Sequence, residues 1–134
     1  MKNWGKGIPN YTPADLMTPQ ELLDFAMQTV ADCEFQKAHC TVVAATSDPH
    51  QSPNFVVKKD EKLSFIVVKA AVAPKMPTLS SEEKQAVKRH ASRFKADCYF
   101  AAVGFGAADP DRFDAGLALR DDAFYANYRG LEKI

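Results

Sequence analysis

The chain has 134 residues and a mass of 14.8 kDa, with 46% hydrophobic and 25% charged residues, the proportions of an ordinary globular domain. Seventeen basic residues cancel seventeen acidic ones, so global charge gives no reason to expect nucleic-acid or anionic-membrane binding. No apolar run approaches the ~18–20 residues of a membrane span, and residues 1–10 lack the apolar core and cleavage site of a signal peptide.

The three cysteines cannot all pair within one chain, and reduced thiols in a cytoplasmic protein are the expectation. No internal repeat interrupts the chain. Residues 1–134 read as a single domain, with an extended arm over 1–17 and a C-terminal extension over 107–134.

Pro9, Pro13 and two glycines keep the arm extended, although Thr12-Pro13-Ala14-Asp15 is a helix-start signal. Thr18-Pro19-Gln20-Glu21 repeats it as a capping box with proline at the first helical position. Leu22, Leu23, Ala26, Val30 and Cys33 follow at helical spacing, predicting a helix over 19–34. Residues 38–45 lack that spacing and read as a strand covered on both faces. A polar loop with two prolines over 47–53 leads to strands at 54–59 and 63–70. Asp60-Glu61-Lys62 joins these as a hairpin without the usual glycine.

Pro74 and Pro77 make 72–79 a loop. Ser80 or Ser81 then caps a helix to about 95, with Val87, Ala91 and Phe94 as its apolar stripe and Ala86 and His90 at the margins. Residues 98–105 read as an apolar strand ended by Gly104, Gly106, Asp109 and Pro110. The tail is open between a 117–120/124–128 hairpin across Asp121-Asp122 and a strand followed by a short helix. Phe113, Phe124, Tyr125 and Tyr128 form an aromatic cluster in sequence, suited to core or dimer packing. The whole is an α/β (α+β) pattern: one mixed sheet flanked by two main helices, with the strands either side of the second helix parallel.

That αβββαβ order carries Pro53-Asn54-Phe55-Val56, a tight hairpin, then Phe65-Ile66-Val67-Val68-Lys69-Ala70. It resembles the PD-(D/E)xK nuclease superfamily, of restriction-endonuclease-like fold, over residues 19–106. In that family proline-aspartate stands on one strand and acid-x-lysine on the next. The two carboxylates hold Mg²⁺ through oxygen, the metal activates water, and the lysine offsets developing negative charge. Strand alternation puts residue 67 and Lys69 on one face. This chain departs from the pattern at both acids: Asn54 stands for the aspartate and Val67 for the acid, leaving Lys69 intact. Glu21 stands where many family members carry a further acid, and Gln85 is a polar residue on the second helix.

The resemblance therefore implies a pseudo-nuclease: vestigial positions Glu21, Asn54, Val67, Lys69 and Gln85, no metal and no cofactor, in a binding, assembly or regulatory role. One alternative is a Mg²⁺-dependent nuclease with a migrated site of Lys69, Glu21 and Asp24. Another is an α+β protein that binds a small ligand. Lys69, Lys84, Lys88 and Arg89, with Lys75 nearby, are the candidate anion-binding residues; a solvated helix face is the favoured reading of the helical ones. Partner expectations are a homodimer or protein partner, weak nucleic-acid binding and no membrane. Cys33, His39, Cys40, His50, His90 and Cys98 lack zinc-site spacing, and the thiols read as buried and inert. Gly104-Phe105-Gly106 reads as a sheet exit, with no capped helix after it.

Overall fold

The structure is a computed structural model that describes residues 4–36, 40–48 and 50–134. Its elements in chain order are α1 (Pro19–Val30), β1 (Thr41–Ala45), β2 (Phe55–Lys59), β3 (Lys62–Val72), α2 (Ser81–Ser92), β4 (Asp97–Ala107), α3 (Pro110–Asp114), β5 (Phe124–Tyr128) and β6 (Glu132–Lys133). A 3₁₀ turn at Pro13–Asp15 precedes α1, and a π-helical turn at Ala31–Phe35 prolongs it. The predicted helix over 19–34 is thus present, and its cap is the expected box. Thr18 Oγ1 accepts from the Glu21 N–H, and a Glu21 carboxylate oxygen accepts from the Thr18 N–H, each at 3.1 Å. Ser80 and Glu83 repeat the box at the start of α2.

The sheet runs β1-β2-β3-β4-β5, and β6 shares the outer edge of β4. β1, β2 and β3 form an antiparallel meander, while β3 and β4 are parallel, as a helical crossover requires. Odd residues Phe65 and Val67 of β3, with Cys98 and Phe100 of β4, pack under Val87 and Ala91 of α2. Ile66 and Val68, with Ala101, Val103 and Phe105, pack under Leu23, Ala26 and Val30 of α1. The central strands are therefore buried on both faces, which explains their unbroken apolar runs.

Several expectations need correction. β1 is not covered: all five of its residues are exposed, Val43 at 57%. It is the outermost strand, with β2 on one side only, so its short apolar run imitates a central strand. A register shift between Val42 and Ala44 bulges it. Positions 38 and 39 of that predicted strand, and Pro49 of the loop after it, lie outside the described residues. The β2–β3 turn has two residues, Asp60 and Glu61, because Lys62 already pairs with Lys59. Both take positive φ, 51° and 69°, the twist of a tight hairpin made without glycine.

Gly104 and Gly106 do not end β4; they lie inside it. A side chain at Gly106 would collide with the Phe113 ring, and one at Gly104 with the Met76 sulfur. A capped helix does follow: Asp109 accepts from the N–H groups of Asp111 and Arg112 at the start of α3. The 117–120/124–128 hairpin does not form. Leu119 bridges Leu16 of the arm, and β5 pairs with β4. The tail aromatics divide, because Phe124 and Tyr128 pack on the α1 core while Phe113 covers Gly106 and Tyr125 faces solvent. Phe94 is also exposed rather than buried, edge to face with His90 and beside Phe65 at the margin of the α2 core.

Cys98 is buried, and burial pushes its thiol pKa up, as expected of an inert core cysteine. Cys33 is exposed. The π turn adds a residue per hydrogen-bonded ring, which rotates position 33 off the stripe that Leu23, Ala26 and Val30 define.

The arm is tied to the segment after β4. Arg112 donates to the Gly7 carbonyl at 2.7 Å and the Gly5 carbonyl at 3.1 Å. The Gly7 N–H donates to Asp109, the Trp4 indole to the Arg120 carbonyl, and the Met17 N–H to the Ala118 carbonyl. Arg112 is buried and forms an ion pair with Asp122 at 3.0 Å. Arg112→Met would leave that carboxylate buried without a cation and remove the guanidinium's bonds to the Gly5 and Gly7 carbonyls. It should cost about 3 kcal/mol, read as a lowered thermal midpoint, and Asp122→Asn should cost less.

Candidate functional site

Asn54, Val67 and Lys69 line one cleft of about 490 Å³ at the C-terminal end of β3. Pro19 and Leu22 of α1 wall one side, and Glu83, Ala86 and Val87 of α2 the other. Strand alternation puts Val67 and Lys69 on one face, and the backbone pairing of Asn54 with Ile66 sets Asn54 beside them.

Each of the two acid positions is spent on structure. Val67 is 5% exposed and packs with Phe65, Leu79, Val87 and Ala91. Asn54 is 3% exposed, just ahead of β2. Its Oδ1 accepts from the Val68 N–H at 2.7 Å, and its Nδ2 donates to the Thr46 carbonyl at 3.3 Å. Its own backbone N–H donates to the Ile66 carbonyl, and its carbonyl accepts from the Thr46 N–H. The carboxamide thus supplies β3 with one further acceptor where β2 has not yet begun, and ties that junction to the end of β1. An aspartate could make the first bond and not the second.

Lys69 reaches across to Glu83, Nζ to Oε2 at 2.5 Å. The ammonium, together with the Ser80 cap, holds the Glu83 carboxyl below its ordinary range. Glu83 is the acid that motif reasoning missed. Its signal was the Ser80 capping box, which aims the third residue of α2 back at the helix start. Both side chains are partly exposed, so the pair adds little stability.

Glu21 is elsewhere. It lines a different cavity, beside Arg120. Arg120 Nε donates to both of its oxygens at 3.0 Å and Nη2 to one at 2.7 Å. That guanidinium, then the Thr18 N–H, lowers the Glu21 carboxyl to about 2. Gln85 is exposed on α2 and does not line the cleft; Asp24 is exposed and accepts from Gln20. Lys84, Lys88 and Arg89 are exposed on α2. His39 lies outside the described residues, and among those described no group of His, Cys, Asp and Glu side chains gathers to hold a metal.

The donor set does not fit Mg²⁺. Val67 offers no ligand, the Asn54 oxygen is already bonded, and the Glu83 carboxylate sits on a cation. What the cleft can do is present one lysine–glutamate pair above an apolar floor. No helix of the described chain is long and apolar enough to cross a membrane.

A family model described as a domain of unknown function (DUF8840) matches residues 20–134, and the chain belongs to that family. Among solved structures, it is similar to the Holliday junction resolvase Hjc of Archaeoglobus fulgidus. Identity is 16%, the match covers 83% of this chain and 86% of that one, and the TM-score is 0.40. No curated protein matches the sequence.

Two outcomes follow from the cleft and from Glu21. Val67→Glu should lower stability by about 3 kcal/mol, and Asn54→Asp by about 1–3 kcal/mol, at neutral pH. The Asn54→Asp deficit should shrink in acid, where a protonated carboxyl can donate to the Thr46 carbonyl again; denaturant titrations at two pH values check both. The Glu21 carboxyl is lowered on folding from 4.5 to about 2, so its stabilisation is present above pH 4.5 and is lost as pH falls toward 2. The gap in thermal midpoint between wild type and Glu21→Gln should therefore close across that window.

Proposed function

We propose that this chain is a non-catalytic, nuclease-like domain with a binding, assembly or regulatory role. The observation that carries the reading is the use made of the two acid positions. Val67 is core, and the Asn54 carboxamide is a structural staple with both its ends engaged. Hydrolysis of a phosphodiester by this route needs two carboxylates to hold the metal that activates water. Here the surviving lysine neutralises a glutamate instead of facing a phosphate. The migrated-site alternative loses support because Glu21 is clamped by Arg120 at another cavity.

Purified protein should show no Mg²⁺- or Mn²⁺-dependent cleavage of single-stranded, duplex or branched DNA, or of RNA. Metal-dependent turnover that vanishes in Lys69→Ala and in Glu83→Gln would overturn the reading and make that pair the catalytic one. Nucleic-acid binding should be weak at physiological salt, since the exposed Lys84, Lys88 and Arg89 share α2 with Glu82 and Glu83. Micromolar binding with a steep salt slope, relaxed by Lys88→Ala, would place nucleic acid among its partners.

A further inference from the structure

Among the described residues, no strand pairs with the outer edge of β1 or with that of β5. The two edges are built differently. The register shift between Val42 and Ala44 breaks the ladder of β1, a common protection of an edge against a further strand. β5 has no such device. Phe124-Tyr125-Ala126-Asn127-Tyr128 pairs with β4 in unbroken register, and none of these residues is charged or proline. Tyr125 is 68% exposed, and Ala126 and Asn127 are exposed as well.

The pairing with β4 shows which backbone groups of β5 are unspent. The Ala108 N–H donates to the Ala123 carbonyl at 2.9 Å, and the register continues from that pair. Antiparallel ladders alternate. Tyr125 and Asn127 therefore turn their N–H and C=O groups to β4, while Phe124, Ala126 and Tyr128 turn theirs outward.

The side chains along this edge complement themselves. Phe124, Ala126 and Tyr128 lie on the α1 side, where the exposed Phe25 adds a further apolar ring. Let a second β5 run antiparallel with Ala126 opposite its own copy. Phe124 then faces Tyr128 of the other chain in both directions, and Tyr125 faces Asn127. The residues that turn their backbone outward are the ones that meet, so each pair can exchange both its N–H···O bonds. The nearest charges beyond the strand are Asp122, already paired with Arg112, and the exposed Asp121 at one end, and the exposed Arg129 at the other. Antiparallel pairing brings the Asp121 end of each chain to the Arg129 end of the other; parallel pairing would set like on like.

We propose that two copies of this chain associate through β5, antiparallel across a two-fold axis at Ala126, to form one continuous sheet. The partner is a second copy because the edge matches itself in backbone, aromatic pattern and charge. The proposal goes beyond the non-catalytic reading and does not depend on it, since no residue of β5 lines the Lys69 cleft.

Sedimentation equilibrium of the full chain over about 1–300 µM tests it. The expected result is reversible association to twice the 14.8 kDa mass of one chain. Ala126→Lys sets two ammonium groups face to face at the axis, and Arg129→Glu sets acid against Asp121. Each should weaken association at least about tenfold. Both positions are exposed, so the fold should be kept, which circular dichroism checks. Hydrogen exchange of the wild type gives a second measurement that needs no variant. The Phe124, Ala126 and Tyr128 amides should gain protection as concentration rises, while those of Tyr125 and Asn127, already bonded to β4, should not change. A monomer throughout the range, assembly beyond the dimer, association unchanged in the folded variants, or no gain of protection at Ala126 would overturn the proposal.

Discussion

The parallel pairing of β3 with β4 constrains everything around it. Parallel neighbours cannot be joined by a tight turn, so the chain must leave the sheet and return through a crossover, here α2. Two strands paired in the middle of a sheet, with helices above and below, must be apolar on both faces. Phe65, Val67, Cys98 and Phe100 answer to α2, while Ile66, Val68, Ala101 and Val103 answer to α1. β3 outruns its other neighbour. Beyond Ile66 it has no β2 residue to pair with, and the Asn54 side chain takes over by accepting from the Val68 N–H. The cleft exists because β2 starts late, and the residue that repairs the shortfall is Asn54, the position that the PD-(D/E)xK resemblance of the sequence singles out for an acid.

This gives Asn54 and Val67 a physical logic of their own. A carboxylate at either place would have to remain buried and charged, or protonate. A metal would make both tolerable. An amide that accepts and donates, and a valine that fills the α2 core, are stabilising at those positions in their own right. Lys69 poses the opposite difficulty. It is long enough to reach the cleft rim, where the capping glutamate of α2 meets it.

Periodicity and capping made the helices and central strands legible: Thr18–Glu21 and Ser80–Glu83 are local signals, and so are the apolar runs of β3 and β4. β1 misled because Val42 and Val43 look like centre-strand residues, and sequence does not record how far α1 extends over the sheet. Gly104 and Gly106 misled because a glycine's reason lay in Met76 and Phe113, residues distant from them in the chain or beyond the strand's end. At the site, residues 67 and 69 were readable together from strand alternation, and residue 54 joined them through the motif resemblance. Glu83 at Lys69 and Arg120 at Glu21 were not, since long charged side chains choose partners by tertiary proximity.

The arm's bonds run between residues 116, 107 and 105 positions apart, from Trp4 to Arg120, Gly5 to Arg112 and Gly7 to Arg112. During synthesis the arm emerges before its partners, which lie beyond β4. It must stay undocked while the meander, the crossover and the parallel pair take shape, because closing so long a loop earlier has no contact to offset its entropy. Docking the arm is thus a late act of assembly, and it sets Met17 into the wall of the cavity beside Glu21 and the Ala14 carbonyl onto Arg120. The mouth of that cavity reaches its finished shape only after the segment beyond β4 has been made.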